Sequence, residues 1–191
     1  MKYDIVLCGV GGQGGISVSV VIARAAMAEG LKVKQSEVHG MSQRGGEVLA
    51  HLRLADKEPA SPTIPLGGAD LIISFEPLET LRYLPWLNAK TGLVISATKP
   101  LINMTGYPDL AKLQAELEAL PNKLLFDADA VAREAGNVKA ANIVLVGAAS
   151  RSLPLKEESL KTAIRELFGR KGEAVVAANL KAFDYGRTAN S

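Results

Sequence analysis

Six residues near the N-terminus, Gly9-Val10-Gly11-Gly12-Gln13-Gly14, restrict what this chain can fold into more than any other feature. They directly follow Ile5-Val6-Leu7-Cys8, a short continuous apolar run of the kind that forms a strand buried on both faces. Beyond them Ile16, Val20, Ala23 and Met27 recur at the spacing of one helix face, and Gly30 supplies a stop signal. A glycine turn between a buried strand and a helix permits tight reversal and close backbone approach. The helix N-terminus then offers unpaired N–H groups and the positive end of its dipole. Three readings of the turn stay open: close packing of helix on sheet, binding of a phosphate or other anion, or binding of a nicotinamide dinucleotide.

The rest of the chain continues the alternation. Leu31 to Gln35 reads as a second strand, and Val48 to Leu54 alternates apolar residues against Leu49, His51 and Arg53. Three prolines between Pro59 and Pro65 predict an extended loop. Asp70 to Phe75, Leu93 to Ser96 and Lys123 to Phe126 read as further strands. Helices are expected around Leu78-Leu81-Leu84, over Leu110 to Leu120, over Leu160 to Leu167 and from Glu173 to Ala182. Asn142 to Val146 has β-branched residues but is embedded in Ala140, Ala141, Gly147, Ala148 and Ala149, which favours a closely packed buried helix. Strands alternating with helices predict one α/β domain over residues 1–191, a doubly wound, mostly parallel, Rossmann-like sheet flanked by helices.

Composition excludes several function classes. With 22 Lys+Arg against 20 Asp+Glu the formal charge is only +2, without the basic excess of a dedicated nucleic-acid binder. One cysteine, Cys8, excludes an internal disulfide, and an iron–sulfur cluster or Cys-rich zinc site held by this chain alone. Two histidines, His39 and His51, make a multi-His metal site unexpected, so no metal is assigned. No stretch has the length of a membrane span and the N-terminus lacks a secretion signal, so a cytoplasmic, reducing setting is expected.

A second constellation follows the second strand: Ser36-Glu37-Val38-His39-Gly40-Met41-Ser42-Gln43-Arg44-Gly45-Gly46. Its place in the alternation puts it at the carboxyl edge of the sheet, where open α/β sheets bind ligands. Gly40, Gly45 and Gly46 allow unusual backbone shapes, Arg44 offers a bidentate clamp for phosphate or carboxylate, and His39 titrates near neutrality. Glu37 falls near the position where dinucleotide-binding chains hold a ribose hydroxyl, but it opens a polar loop rather than ending a clean strand. The other reading is a loop that packs on a neighbouring subunit. Elsewhere Cys8 reads as an inert core thiol and His51 as exposed or structurally satisfied. Asp127 and Asp129 read as helix caps, Lys99-Pro100 as a segment near the same edge, and Leu81, Leu84, Trp86 and Leu87 either as helix-end packing or as an apolar patch for a partner chain. No nucleophile–base–acid set can be assembled, so no catalytic residue is assigned.

Together the two constellations resemble the gamma-type chains of the 2-oxoacid:ferredoxin oxidoreductase family, most closely the beta subunits of its indolepyruvate branch. Lys139-Ala140-Ala141-Asn142-Ile143-Val144-Leu145-Val146-Gly147-Ala148 is similar to that family's late helix, and the likeness runs to about Phe168. The resemblance implies a subunit without a redox centre, inactive alone. A larger alpha subunit would carry thiamine diphosphate and iron–sulfur clusters and pass electrons to ferredoxin, with coenzyme A taking the acyl group. It implies that Gly9, Gly11, Gly12, Gln13 and Gly14 form an anion-ready turn. Ser36, Glu37, His39, Gly40, Met41, Ser42, Gln43, Arg44 and Gly45 would form a cleft-edge or partner-facing loop. Two other functions stay open: a free-standing NAD(P)- or flavin-binding oxidoreductase, and a purely structural assembly subunit. No nucleic-acid or membrane partner is expected; a homodimer is the expected alternative for the isolated chain.

Overall fold

The computed structural model describes residues 1–39, 45–102 and 105–189, with His39 described by its backbone alone. In chain order these form β1 (Lys2–Val10), α1 (Gly15–Ala28), β2 (Lys32–His39), β3 (Glu47–Ala55), β4 (Leu71–Ser74), α2 (Pro77–Tyr83), β5 (Leu93–Ala97), α3 (Leu110–Glu118), β6 (Lys123–Phe126), α4 (Ala128–Glu134), α5 (Ala141–Ala149), α6 (Glu157–Phe168) and α7 (Glu173–Thr188). Single 3₁₀ turns at Leu84–Trp86 and Gly169–Lys171 extend α2 and α6. The strands form one sheet in the order β2-β3-β1-β4-β5-β6.

Strand alternation divides the core. Ile5 and Leu7 of β1 join Ile73, Ile95 and Leu52 beneath α1, α5 and α6. Val6 and Cys8 point the other way, into a smaller cluster with Ile72, Val94, Tyr83 and Trp86. Both faces of β1 are therefore covered, which is what its unbroken apolar run required. Fully buried aliphatic side chains such as Ile22 and Leu52 each contribute about 1.5–3 kcal/mol through burial.

The pairings β1–β4, β4–β5 and β5–β6 are parallel, as expected, but β3 runs antiparallel to both β1 and β2, so the sheet is mixed. The expected end of the second strand at Gln35 is four residues short. Ser36, Glu37, Val38 and His39 stay in β2 because β3 continues the ladder opposite them, at His51, Ala50, Leu49 and Val48. Glu37 is thus a strand residue rather than the start of a loop.

The helix after the glycine turn is present, but a different face is buried. Val18, Val21, Ile22, Ala25 and Ala26 pack on the sheet, whereas Ile16 and Met27 are exposed. The helix is apolar nearly all round, so spacing alone selects no face. The ambiguous Asn142 to Val146 run is helical, inside α5. Asp127 caps α4 by accepting from the Ala130 N–H at 2.9 Å, whereas Asp129 lies inside that helix and pairs with Lys99 at 2.8 Å.

His51 is structural. It is buried, its Nδ1 accepts from the Ile64 N–H at 3.4 Å, and its ring lies 6.2 Å from that of Trp86. Burial pushes its pKa down, the Arg53 charge adds to this, and Asp4 opposes it. The unfolded chain therefore takes up a proton first, and His51's share of stability is complete above about pH 6.5 and shrinks as pH falls through the lower folded value. His51→Asn keeps an acceptor and cannot titrate. Urea midpoints at pH 7 and pH 5 should fall more for the parent than for this variant; equal falls would contradict the assignment.

Candidate functional site

The glycine turn closes β1 at the carboxyl edge of the sheet, beside the point where the chain order runs outward in both directions from β1 and β4. Open α/β sheets place ligands at such a switch point. Three glycines of the turn have a structural reason. Gly12 and Gly14 hold φ of +105° and +86°, a region that disfavours side chains. A Cβ on Gly9 would lie 2.8 Å from Gln13 Oε1, and one on Gly14 would lie 2.5 Å from Asn142 Nδ2.

The structure brings the two sequence constellations together. The Gly11 N–H donates to the Gly46 carbonyl at 2.8 Å, and the Gly45 N–H donates to the Gly11 carbonyl at 3.2 Å. The approach to β3 is strapped onto the turn. Gly9, Gly11, Gly12, Gly14 and Glu37 line one cleft of about 460 Å³, together with Ile16 and Phe75. Ser36 and Val38 occupy the register of His51 and Leu49, on the opposite sheet face from Glu37 and Ala50. Ser36 therefore does not share Glu37's cleft. Gly40, Met41, Ser42, Gln43 and Arg44, and the His39 side chain, lie outside the described residues.

Among the described residues, no protein acceptor meets the backbone N–H groups of Gly12, Gly14, Gly15 and Ile16. This is the donor set a helix N-terminus can offer an anion. Gln13, expected among the anion-binding residues, has its side chain committed elsewhere. Its Oε1 accepts from the Val10 N–H at 2.7 Å and its Nε2 donates to the Phe75 carbonyl at 2.9 Å.

A profile of the pyruvate ferredoxin/flavodoxin oxidoreductase family matches residues 4–189. The chain belongs to that family. It is 43% identical to indolepyruvate oxidoreductase subunit IorB of Archaeoglobus fulgidus and 41% identical to the IorB of Pyrococcus horikoshii, in each case over 97% of this chain and 94% of the relative. Among solved structures, a keto/oxoacid ferredoxin oxidoreductase gamma subunit from Geobacter sulfurreducens has the same fold, with TM-score 0.72 and 24% identity over 97% of this chain and 94% of that one. A 2-oxoglutarate:ferredoxin oxidoreductase from Magnetococcus marinus, solved with 2-oxoglutarate, coenzyme A and succinyl-CoA bound, has TM-score 0.76 and 24% identity over 98% of this chain and 30% of that one.

For a family whose name points to ferredoxin, the thiols of this chain matter. Cys8 is its single cysteine, buried in β1, and burial pushes its pKa up to about 12. It is neither a cluster ligand set nor a nucleophile at neutral pH. Among the described residues, no group of three or more His, Cys, Asp or Glu side chains could hold a metal ion, and no helix is long and apolar enough to cross a membrane.

Three residues were missed by sequence reasoning. Phe75 walls the cleft and receives the Gln13 amide. Asn142 reaches from α5 to donate to the Gly14 carbonyl at 3.2 Å; its signal was a lone polar residue in an apolar helix run. Glu76, almost fully buried, accepts from the Glu79 N–H at 3.0 Å, the Leu101 N–H at 3.2 Å and the Tyr107 hydroxyl. Burial, with Glu76 adding to it, raises the Tyr107 pKa and keeps that hydroxyl a donor. This ties the segment after β5 to the turn's neighbourhood. A second concavity of about 450 Å³, lined by Lys99, Asp129, Lys139 and Asn142, adjoins the other side of Gly12 and Phe75.

Proposed function

We propose that this chain is the small subunit of an indolepyruvate:ferredoxin oxidoreductase. The complex would convert an aryl 2-oxoacid and coenzyme A to an acyl-CoA and carbon dioxide, with the electrons passed to ferredoxin. The observation that carries this reading is 37–43% identity along nearly the whole chain to four archaeal IorB subunits. The decarboxylation is supplied by thiamine diphosphate and the electron path by iron–sulfur clusters, both on a larger alpha subunit; a lone buried Cys8 here agrees with that division. The setting is cytoplasmic, and residues 1–191 act as one gamma-type domain.

Within that reaction the chain shapes the cleft. The turn's N–H groups at Gly12, Gly14, Gly15 and Ile16 form a receptor for an anionic part of coenzyme A, preset by the fold before the ligand arrives. Ile16, Leu101 and Val138 are exposed apolar residues lining the two concavities beside the turn, which suits a face covered by another chain. The role proposed for Ser42, Gln43 and Arg44 is to close or orient the partner's catalytic cleft rather than to do bond chemistry. A free-standing dinucleotide enzyme fits less well: Glu37 lines the turn's cleft, but the antiparallel β3 lies between its strand and β1, where the dinucleotide motif needs adjacent parallel strands.

Reconstitution with the large subunit tests this reading. Arg44→Ala should lower acyl-CoA formation or weaken subunit binding, by roughly tenfold for loss of a charge-assisted contact. An unchanged rate together with unchanged binding would contradict the role given to the loop.

A further inference from the structure

The glycine turn makes few hydrogen bonds with itself. Two side-chain amides bracket it instead. Gln13 binds the Val10 N–H with its oxygen and the Phe75 carbonyl with its nitrogen, joining the ends of β1 and β4 beneath the turn. Asn142, 128 residues further along the chain, binds the Gly14 carbonyl with its nitrogen, and its oxygen accepts from the Ile143 N–H at 3.0 Å. The Gly14 carbonyl also accepts from the Ser17 N–H at 3.0 Å and the Val18 N–H at 3.4 Å, in the first turn of α1.

We infer that Asn142 and Gln13 are positioning residues, which hold the turn so that its N–H groups stay presented to coenzyme A. The inference rests on the proposed reading that the turn meets the anionic part of that co-substrate. Each amide meets the turn or its β4 support through its donor nitrogen, and the fit leaves no slack. The Cβ positions of Gly9 and Gly14 would lie only 2.8 Å and 2.5 Å from the two amides. Without the brackets, the conformationally free glycine backbone of the turn has less to fix it, and the donors lose their common direction.

The test uses the reconstituted two-subunit enzyme, with coenzyme A and indolepyruvate varied separately. Asn142→Leu and Gln13→Met remove the bonds while keeping the number of side-chain heavy atoms within one, and add no charge. Each should raise KM for coenzyme A about tenfold, the effect of roughly one hydrogen bond, with kcat and KM for indolepyruvate changed less than twofold. A merely structural role would instead lower kcat, through loss of intact complex, and leave KM for coenzyme A unchanged; that pattern overturns the inference. Gly12→Ala separates the two levels. Gly12 has open space around it but φ of +105°, so a side chain distorts the turn itself. If Gly12→Ala raises KM for coenzyme A and both amide variants do not, the brackets are not positioning residues and the reading of the turn stands. If Gly12→Ala also leaves that KM unchanged, the reading falls and the inference with it.

Discussion

Arg53→Ala should destabilise the fold by about 3–5 kcal/mol in urea denaturation, a large part of the roughly 5–15 kcal/mol that holds a domain together. Asp4 is fully buried in β1, and Arg53 of β3 meets it through two bonds, Nε to Oδ1 at 2.9 Å and Nη2 to Oδ2 at 3.0 Å. The remaining guanidinium nitrogen donates to the carbonyls of Ser61 at 3.1 Å and Thr63 at 3.0 Å, so one side chain also pins the proline-rich loop. Among the described residues, truncation leaves a buried carboxylate with the half-exposed Lys2, 2.8 Å away, as its remaining paired counter-charge. The two carbonyls lose their donor as well. Replacing both partners by apolar residues, as in the Asp4→Leu/Arg53→Met pair, should recover much of the loss, because no charge is then stranded. A loss under 1 kcal/mol for Arg53→Ala would show that the pair behaves like a surface bridge.

The second large effect is expected where α5 crosses α7. A Cβ on Gly147 would lie 2.0 Å from the Phe183 carbonyl oxygen, and a Cβ on Gly186 would lie 2.0 Å from the Val144 carbonyl oxygen. The two backbones touch through reciprocal gaps, and Val144 and Phe183 are fully buried on either side. Gly147→Ala gains about 0.5–1 kcal/mol in helix propensity but must push the helices apart. Overpacking of this kind costs about 1–3 kcal/mol or more, and here the obstacle is backbone, which cannot swing away. The expected net result is a melting temperature lower by roughly 5–10 °C, and Gly147→Val should fail to fold. An unchanged melting temperature for Gly147→Ala would refute the close crossing.

These two sites also show what the residues announce and what they conceal. The small residues around Gly147 signalled a tightly packed helix, and α5 is one. Nothing local marked Gly186 as its counterpart, since the pairing joins helices about forty residues apart. Strand, turn and helix at Gly9–Gly14 were legible because each has a local signature. The length of β2 was not, because Ser36–His39 are held extended by β3, a partner their own composition does not specify. The buried face of α1 was misread for a related reason: Ile16 and Met27 are as apolar as Val18 and Ile22, and only tertiary packing chooses between them.

At the site, the glycines that form the turn could be recognised from the chain alone, but their supports could not. Gln13 sits within the glycine pattern and resembles a ligand-binding residue; its amide is spent on Val10 and Phe75. Asn142 and Glu76 act on backbone brought close by folding, Asn142 on a carbonyl 128 residues away and Glu76 on the Leu101 N–H. The meeting of Gly11 with Gly45 and Gly46 follows from β3 running antiparallel beside β1, a placement that the expectation of a mostly parallel sheet did not specify.

We propose that this chain completes an active centre whose redox groups belong to a larger subunit. The most direct test is coenzyme A-dependent reduction of ferredoxin by indolepyruvate, measured for this chain alone, for the large subunit alone and for the two combined. The account predicts turnover only in the combined sample, with acyl-CoA formed in step with ferredoxin reduction. Turnover by this chain alone, or full activity of the large subunit without it, would contradict the account.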